Sequence, residues 1–497
     1  MKHSAAVPQV PGSRIRVLGD YPMRNLGYVL YWMVAARRTG WNFALQRAVE
    51  QARAARCGLV VLEPLRVDYP WASDRLHAFV LEGMADNARR LEGRPVIYYP
   101  YVEPEPGAGQ GLLAALAKHA RVVVTDECPT FFLRRMQTAA AAALDVRLEV
   151  VDSCGLLPLS ATEKPYHRAV DFRRFMQRHI LRELGQFPLA NPVARLRLPE
   201  VRLPADVLRR WPATATSDLG RSLCAGLPID HGTPAVKLTG GARSARRRLG
   251  IFLDERAERY ADDQNHPDAD ATSGLSPYLH FGHISPHQVF DDLTQQEDWL
   301  ADGLADQDAR GAREGWWGMS AASEAFLDQL ITWRELGFHF CHHVEHADRY
   351  ETLPQWAQST LEAHAGDQRP HLYSLEQFAA AETHDQLWNA AQRQLASEGV
   401  MHNYLRMLWG KKILEWTPSP RDAFDIMIEL NNRFALDGRD PNSLSGISWV
   451  LGRFDRAWPE RPIFGKVRFM TSESARRKLR LNTYLQRFGS GSKLIRP

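Results

Sequence analysis

The sequence predicts a doubly wound parallel α/β domain followed by a mainly helical one, over 497 residues. Three observations carry this. Up to about residue 151, apolar runs of strand length alternate with helix-like segments, the pattern of a parallel sheet covered on both faces. After about residue 241 the strand signals fade and helical periodicity takes over. Between them, residues 158–240 are rich in Pro, Arg and Gly with broken periodicity, as in a connector running over the surface. The expected boundaries are 14–157 for the α/β domain, 158–240 for the connector and 241–488 for the helical domain.

Strands are expected at 28–36, 58–62, 95–99, 121–125 and 146–151, with helices at 41–56, 73–91, 111–119 and 129–144. Ligands of such sheets gather beyond the carboxyl ends of the strands. Those ends carry Arg37 and Arg38, Glu63, Tyr101, and Asp126 with Glu127. No G-x-G-x-x-G or P-loop sequence is present, so a tightly held nucleotide phosphate is not indicated there. In the second half, 242–263 reads as an amphipathic basic helix and 321–343 as a strongly helical run. Further helices are expected at 376–381, 385–398, 400–416 and 420–434, with a polar, Gly-containing loop at 300–318. No internal repeat of fixed period is visible.

Composition narrows the class. The net charge of +4 is mild but uneven. From Arg456 to Pro497 eleven Lys/Arg face only Glu460 and Glu473, a local +9 that leaves the remainder near −5. A basic end of this kind is the footprint of a phosphate-binding face. The five cysteines are scattered without a C-x-x-C pair, which argues against a disulfide framework or a zinc cluster. The longest apolar run, 28–36, is far too short to span a bilayer, and no signal-peptide pattern opens the chain. A soluble, intracellular, cytoplasmic protein is expected.

The stretch from Leu387 to Trp449 packs four tryptophans, Asn403, Arg406, Asn431 and an Asp437-Gly438-Arg439-Asp440 turn into about one eighth of the chain. His402, Arg406, Trp409, Ile413 and Trp416 fall at offsets 0, 4, 7, 11 and 14, one face of a helix. On spacing alone, a buried helix using indoles as bulk explains this as well as a functional stripe does. Upstream, Thr272-Ser273-Gly274-Leu275-Ser276 places three hydroxyls and a glycine at a loop-to-helix transition. Backbone amides and hydroxyls at a helix start can hold a diphosphate, although an ordinary N-cap reads the same way.

Taken together, TSGLSPYLHFG, WNAAQ, MHNYLRM, WGKKILEW, LDGRDPN and ERPIFGKVRFM resemble the photolyase/cryptochrome flavoproteins, and among them most the class II cyclobutane pyrimidine dimer photolyases. The resemblance runs from the YWM at Tyr31 to Met470, dense from Tyr260 onward and looser before. It implies a Rossmann-like antenna domain and a helical domain holding a U-shaped FAD. It also implies a monomeric, light-driven lyase that repairs UV-damaged DNA and associates with the nucleoid when bound to it.

The resemblance assigns roles by residue. Tyr260, Thr272, Ser273, Gly274, Leu275 and Ser276 would contact the FAD phosphates. Asn403, Arg406, Asp437, Gly438, Arg439 and Asp440 would complete the cofactor site, with Arg406 paired to Asp437 beside the isoalloxazine. Asn431 would face flavin N5. Trp409, Trp388 and Trp416 match an electron-transfer chain running outward in that order. Trp409 and Trp416 are two helical turns apart, about 10 Å along the axis, with the third indole between them from a neighbouring helix. Trp333 and Trp449 would line the dimer pocket, where indoles stack on flipped bases. Arg456, Lys466 and Arg468 would enter the DNA bubble, making binding salt-sensitive. An antenna chromophore, a deazaflavin or a folate, is also implied, though no residues choose between them or neither. No metal is implied.

Two departures stand out. Gln329 occupies the place of a family glutamate that hydrogen-bonds the dimer, and an amide donates a hydrogen bond without readily giving up a proton. Asp328 is adjacent, but on a helix it points about 100° away. The GRFDRAW segment is also about one residue shorter than its class II counterpart. The expected function is therefore light-driven dimer repair, with a cryptochrome-like photoreceptor of weak or no repair activity as the alternative. A plain nucleic-acid-binding module would explain the basic end but leave the indoles and the Arg406/Asp437 pair idle.

Overall fold

The computed structural model describes residues 9–25 and 27–489. Its sheet has six strands, β1 (Ile15–Leu18), β2 (Tyr28–Trp32), β3 (Leu59–Leu65), β4 (Ile97–Val102), β5 (Ala120–Asp126) and β6 (Leu148–Val151), in the order β1-β6-β5-β2-β3-β4. Five of the strands run parallel, as expected. The correction is β1, an edge strand that pairs antiparallel with β6 from Ile15 opposite Val151 to Leu18 opposite Leu148. It is short, and its two central residues, Arg16 and Val17, are exposed, so it carries little apolar signal.

Side chains alternate across the sheet plane. Tyr28, Leu30 and Trp32 enter one apolar core, while Val29, Tyr31 and Met33 enter the other. The helix Phe43–Ala55 covers the second face, and Leu112–Ala117 covers the first. Beyond the carboxyl ends of the strands, the protein fills its own crevice. Asp126 accepts the backbone N–H groups of Val34, Ala35 and Ala36 at 2.8 to 3.0 Å, and Arg37 pairs with Glu63 at 3.1 Å.

The helix Asp74–Leu91 joins the sheet to the helical half: Phe79 packs on Tyr278, Phe281 and His283. At this seam Gly282 has φ +69°, and a Cβ there would lie 1.9 Å from the Ala35 carbonyl. Only glycine permits that approach. Buried Glu335 also crosses the seam, accepting the N–H groups of Leu156 (2.7 Å) and Leu157 (3.1 Å), and burial pushes its carboxyl up to about 7.

The helical half follows the expected elements closely. Pro420–Phe434 matches its expected bounds, and Gln386–Glu398 and Asn403–Glu415 differ by one to three residues at their ends. The run at 321–343 is continuous but not uniform. A π-helical turn, Asp328–Trp333, interrupts Ala321–Leu327 and Arg334–His343. The loop expected at 300–318 contains a 3-10 turn, Ala301–Asp306, and anchors itself through buried Trp316 and Trp317. Helices Pro286–Gln296, Gln355–Ala363 and Pro441–Val450 carried too little pattern to be expected. Of the basic end, Lys493 and Arg496 lie outside the described residues.

Candidate functional site

The helical half encloses a cavity of about 2440 Å³. Tyr260, the loop from Thr272 to Ser276, Asn403, Arg406, Asp437 and Asp440 stand on its wall, and so do Gln329, Trp333, Trp449 and Arg468. Residues more than two hundred positions apart, from Tyr260 to Arg468, thus face one space. Asn431, Gly438, Arg439 and the indoles of Trp388, Trp409 and Trp416 are not among its wall residues.

One hydrogen-bonded network ties the wall to the residues behind it. Arg406 Nη2 donates to Asp437 Oδ1 at 2.9 Å, and the Ser276 hydroxyl donates to Asp437 Oδ2 at 2.6 Å. Arg406 Nη1 reaches the Ser443 Oγ at 3.4 Å, and that hydroxyl donates to Asn431 Oδ1 at 3.1 Å. Asn431 Nδ2 donates to the Gly438 carbonyl at 2.8 Å, which fixes which way its amide points. Burial alone would raise the Asp437 carboxyl. The Arg406 charge and the hydrogen bonds from Ser276 and Arg406 outweigh it and hold the carboxyl below its usual range. Arg439 turns away from the cavity, its guanidinium 5.1 Å from the Tyr69 ring centre, while Asp440 caps the helix Pro441–Val450 through the Asn442 N–H.

The 272–276 loop is built on a close approach. Gly274 has φ +65°, and a Cβ there would sit 2.5 Å from Arg248 Nη2. Arg248 Nε donates to the Ser273 carbonyl at 2.7 Å and its side chain reaches the cavity wall, placing a cation beside the loop's backbone. The helix that follows, Ser276–His280, has only five residues. It contributes little dipole, so Arg248 supplies the positive charge instead. His402, also on the wall, is largely buried, with its ring beside the Gln264 backbone. Burial holds the ring neutral by lowering it to about 4.

Behind the wall the three indoles touch in sequence. Trp409 and Trp388 stack with planes 4° apart and centres 6.5 Å apart; Trp388 meets Trp416 edge-on at 6.0 Å. Each is no more than 2% exposed. The helix Asn403–Glu415 is buried nearly all round, even at Lys411 and Lys412, so the stripe read from spacing is one face of an interior helix. What distinguishes it from bulk packing is the contact through Trp388 on the neighbouring helix.

At the cavity mouth, the π turn points Gln329 and Trp333 at the space while Asp328 turns inward to Arg173 at 2.8 Å. π turns recur at functional sites. Opposite, Trp449 is flanked by the Arg468 guanidinium at 5.4 Å and the Lys411 ammonium at 5.1 Å. Arg468 also lies 4.3 Å over Trp458 and pairs with Asp455 at 2.9 Å; Arg456 caps Trp458 at 5.0 Å. Lys466 is exposed beside them. The result is a ledge of alternating cations and indoles, suited to stacking bases and holding phosphates.

Sequence reasoning missed Arg248, Ser443, Trp458 and Gln392. Gln392 was legible, since it stands four residues after Trp388 and so shares its helix face. Trp458 lay within the basic segment, unremarked. Arg248 and Ser443 carry no local signal, because their roles depend on which distant loop they meet.

No protein-family model matches the chain. It is 36% identical over 480 residues to the deoxyribodipyrimidine photo-lyase of Methanothermobacter thermautotrophicus, covering 96% of this chain and 98% of that protein. It is 32% identical to the like-named protein of Potorous tridactylus over 90% and 79%, and 31% identical to that of Arabidopsis thaliana over 97% and 93%. A class III photolyase from Agrobacterium tumefaciens shares its fold with a TM-score of 0.64 at 20% identity, over 93% of this chain and 86% of that one. Among the described residues no group of His, Cys, Asp and Glu is placed to hold a metal, and no helix is long and apolar enough to cross a membrane.

Proposed function

Because the chain belongs to the photolyase/cryptochrome family, we propose that it repairs cyclobutane pyrimidine dimers in DNA by light-driven electron transfer, as a class II type enzyme with FAD. The observation that carries this is the placement of two features on one helix. Arg406 on the helix Asn403–Glu415 faces the cavity, while Trp409 one turn later starts the buried indole column. A plain nucleic-acid-binding module needs neither.

The cavity fits a dinucleotide cofactor in volume and in donors. The 272–276 loop with Arg248 packed against Gly274 offers a cation and backbone groups to phosphate oxygens, and the His402 ring stands on the same wall. FAD bound there and reduced would supply, on illumination, the electron that opens the cyclobutane ring. The chain's own residues do the rest. Arg406, kept in place by Asp437, presents a positive charge to the cofactor. Asn431, locked by Ser443 and Gly438, supports the same wall. Trp333 and Trp449 stack on the flipped dimer, and Arg456, Lys466 and Arg468 hold the surrounding phosphates. The indoles pass electrons inward from Trp416 through Trp388 to Trp409. We take 241–488 as the catalytic domain and 14–157 as the antenna-type domain.

The deciding experiment illuminates the photoreduced holoenzyme with dimer-containing DNA and follows the return of thymine absorbance. Restored absorbance is expected; none from a fully reduced flavin favours the photoreceptor reading instead. That second reading draws on Gln329, whose amide cannot hand a proton to a dimer radical anion. Gln329→Glu is accordingly expected to raise the repair yield per photon, and an equal or lower yield would remove Gln329 as the limiting group. For the ledge, Lys466→Ala is expected to weaken undamaged and damaged DNA alike and to reduce the slope of log affinity against log salt by about one. An unchanged slope would take Lys466 out of the phosphate contacts.

A further inference from the structure

The indole column contains a buried amide that the roles above leave unused. Gln392 is fully buried, one turn after Trp388, and its Oε1 accepts the Trp409 indole N–H at 2.9 Å. An indole N–H only donates, so the amide oxygen must face it. That orientation leaves Gln392 Nε2 buried without a hydrogen-bond partner among the described residues. A methionine would avoid that orphan but would take the oxygen away from the Trp409 N–H, so each choice leaves one buried donor without a good acceptor. What the amide adds is its oxygen, held on the Trp409 N–H.

Trp388 has the same kind of partner, donating its indole N–H to the Trp409 carbonyl at 3.0 Å. The first two indoles therefore meet a carboxamide oxygen and a peptide oxygen, both good acceptors and very poor bases. Among the described residues an imidazole meets the column at its outer end, where His384 lies 4.9 Å from Trp416.

We propose that Gln392 keeps the indole proton on Trp409 while Trp409 is oxidised, and so acts as a positioning residue for electron hopping. The inference rests on reading the column as the electron path. Removing one electron from an indole makes its N–H strongly acidic, and a basic acceptor at 2.9 Å would take the proton. With Gln392 there, Trp409 loses one electron to the bound flavin and retains its proton. Trp388 then gives one electron to Trp409, which returns to its neutral closed-shell form, and the positive charge moves outward with no proton transferred. Had Trp409 lost its proton, the remaining neutral radical would be a weaker oxidant. Trp388 would not refill it, and the electron would return from the flavin.

The test is flash absorption on the oxidised, FAD-loaded holoenzyme, which separates the protonated indole radical from the deprotonated one. The unaltered protein is expected to show the protonated radical and equal rates for the first hops in H₂O and D₂O. Gln392→Glu, which places a base at the same distance, is expected to show the deprotonated radical and to lose most of its photoreduction yield. That yield should recover in acid as the new carboxyl is protonated. Gln392→Met, which has no base, should retain the protonated radical. A marked deuterium effect on the first hop of the unaltered protein would overturn the proposal. So would a Gln392→Glu variant with an unchanged radical and yield. Should Gln392→Glu fail to retain FAD, the isotope comparison and Gln392→Met decide. Normal photoreduction in Trp409→Phe would instead overturn the column as the electron path, a separate failure.

Discussion

Trp409→Phe is expected to leave FAD bound and to abolish its photoreduction. The indole is 2% exposed, and its ring stacks on Trp388 with planes 4° apart. Phenylalanine preserves apolar bulk but is far harder to oxidise, so the relay from Trp388 loses its inner member. Trp388 and Trp416 cannot substitute, since Trp388 stands on the neighbouring helix and Trp416 lies at the far end of the helix that carries Arg406. The change also removes the N–H donated to Gln392, leaving a buried oxygen unpaired at a cost of about 1–3 kcal/mol. That is a fraction of the 5–15 kcal/mol that holds a typical domain folded. Retained flavin absorbance with no accumulation of the reduced form under blue light and external donor checks the prediction. Repair by chemically reduced enzyme should persist, because the relay serves reduction of the flavin and not the dimer-splitting step. Unchanged photoreduction would mean that electrons enter by another route.

Asp437→Asn is expected to have the largest effect on the cofactor site. Asp437 and Arg406 are both mostly buried, with side-chain exposures of 11% and 15%. Taking away the carboxylate strands the guanidinium on the cavity wall, and breaking a buried pair from one side costs about 3–5 kcal/mol. Asparagine keeps the shape and can still accept from Ser276, so the loss reports charge. Thermal unfolding with and without FAD measures it, and the holoenzyme should lose cofactor on dilution where the unaltered protein retains it. Arg406→Met combined with Asp437→Leu removes both charges. It should recover much of the stability of the empty protein without recovering FAD retention. Equal retention by the double variant and the unaltered protein would show that the pair is structural only.

The pH dependence follows from the direction of the Asp437 shift. Its folded-state value lies below the ordinary 3.8, so the contribution is complete above that value and is lost as pH falls through the depressed one. The stability gap between the unaltered protein and Asp437→Asn should therefore stay constant from about pH 8 to pH 5 and close only in strong acid. A gap that closed near neutrality would point to a different titrating group.

The amino-acid sequence by itself determined most of the architecture. Apolar runs such as 58–62 and 121–125 are strands because they are buried on both faces, and burial on both faces leaves a continuous local signal. The helices around Trp388, Trp409 and Asn431 were equally legible, since their apolar positions repeat within the helix itself. The strand β1 was not, because half of it faces water. The π turn at Asp328–Trp333 was not either, because one extra residue per turn does not break a helical pattern over so short a span.

The site divides along the same line. Ordered motifs were enough to gather Arg406 with Asp437 and the three indoles with one another as expectations, because each motif is a local string. What only the tertiary structure decided is how their polar atoms are used. Ser276 serves Asp437, Asn431 is locked by Ser443 and Gly438, and Gln392 holds the Trp409 N–H. Each of these bonds joins segments 7 to 161 residues apart, and a hydrogen bond leaves no periodicity in either segment it joins. Burial is written along the chain as a repeating pattern; the choice of a partner across the fold is made only when the segments meet.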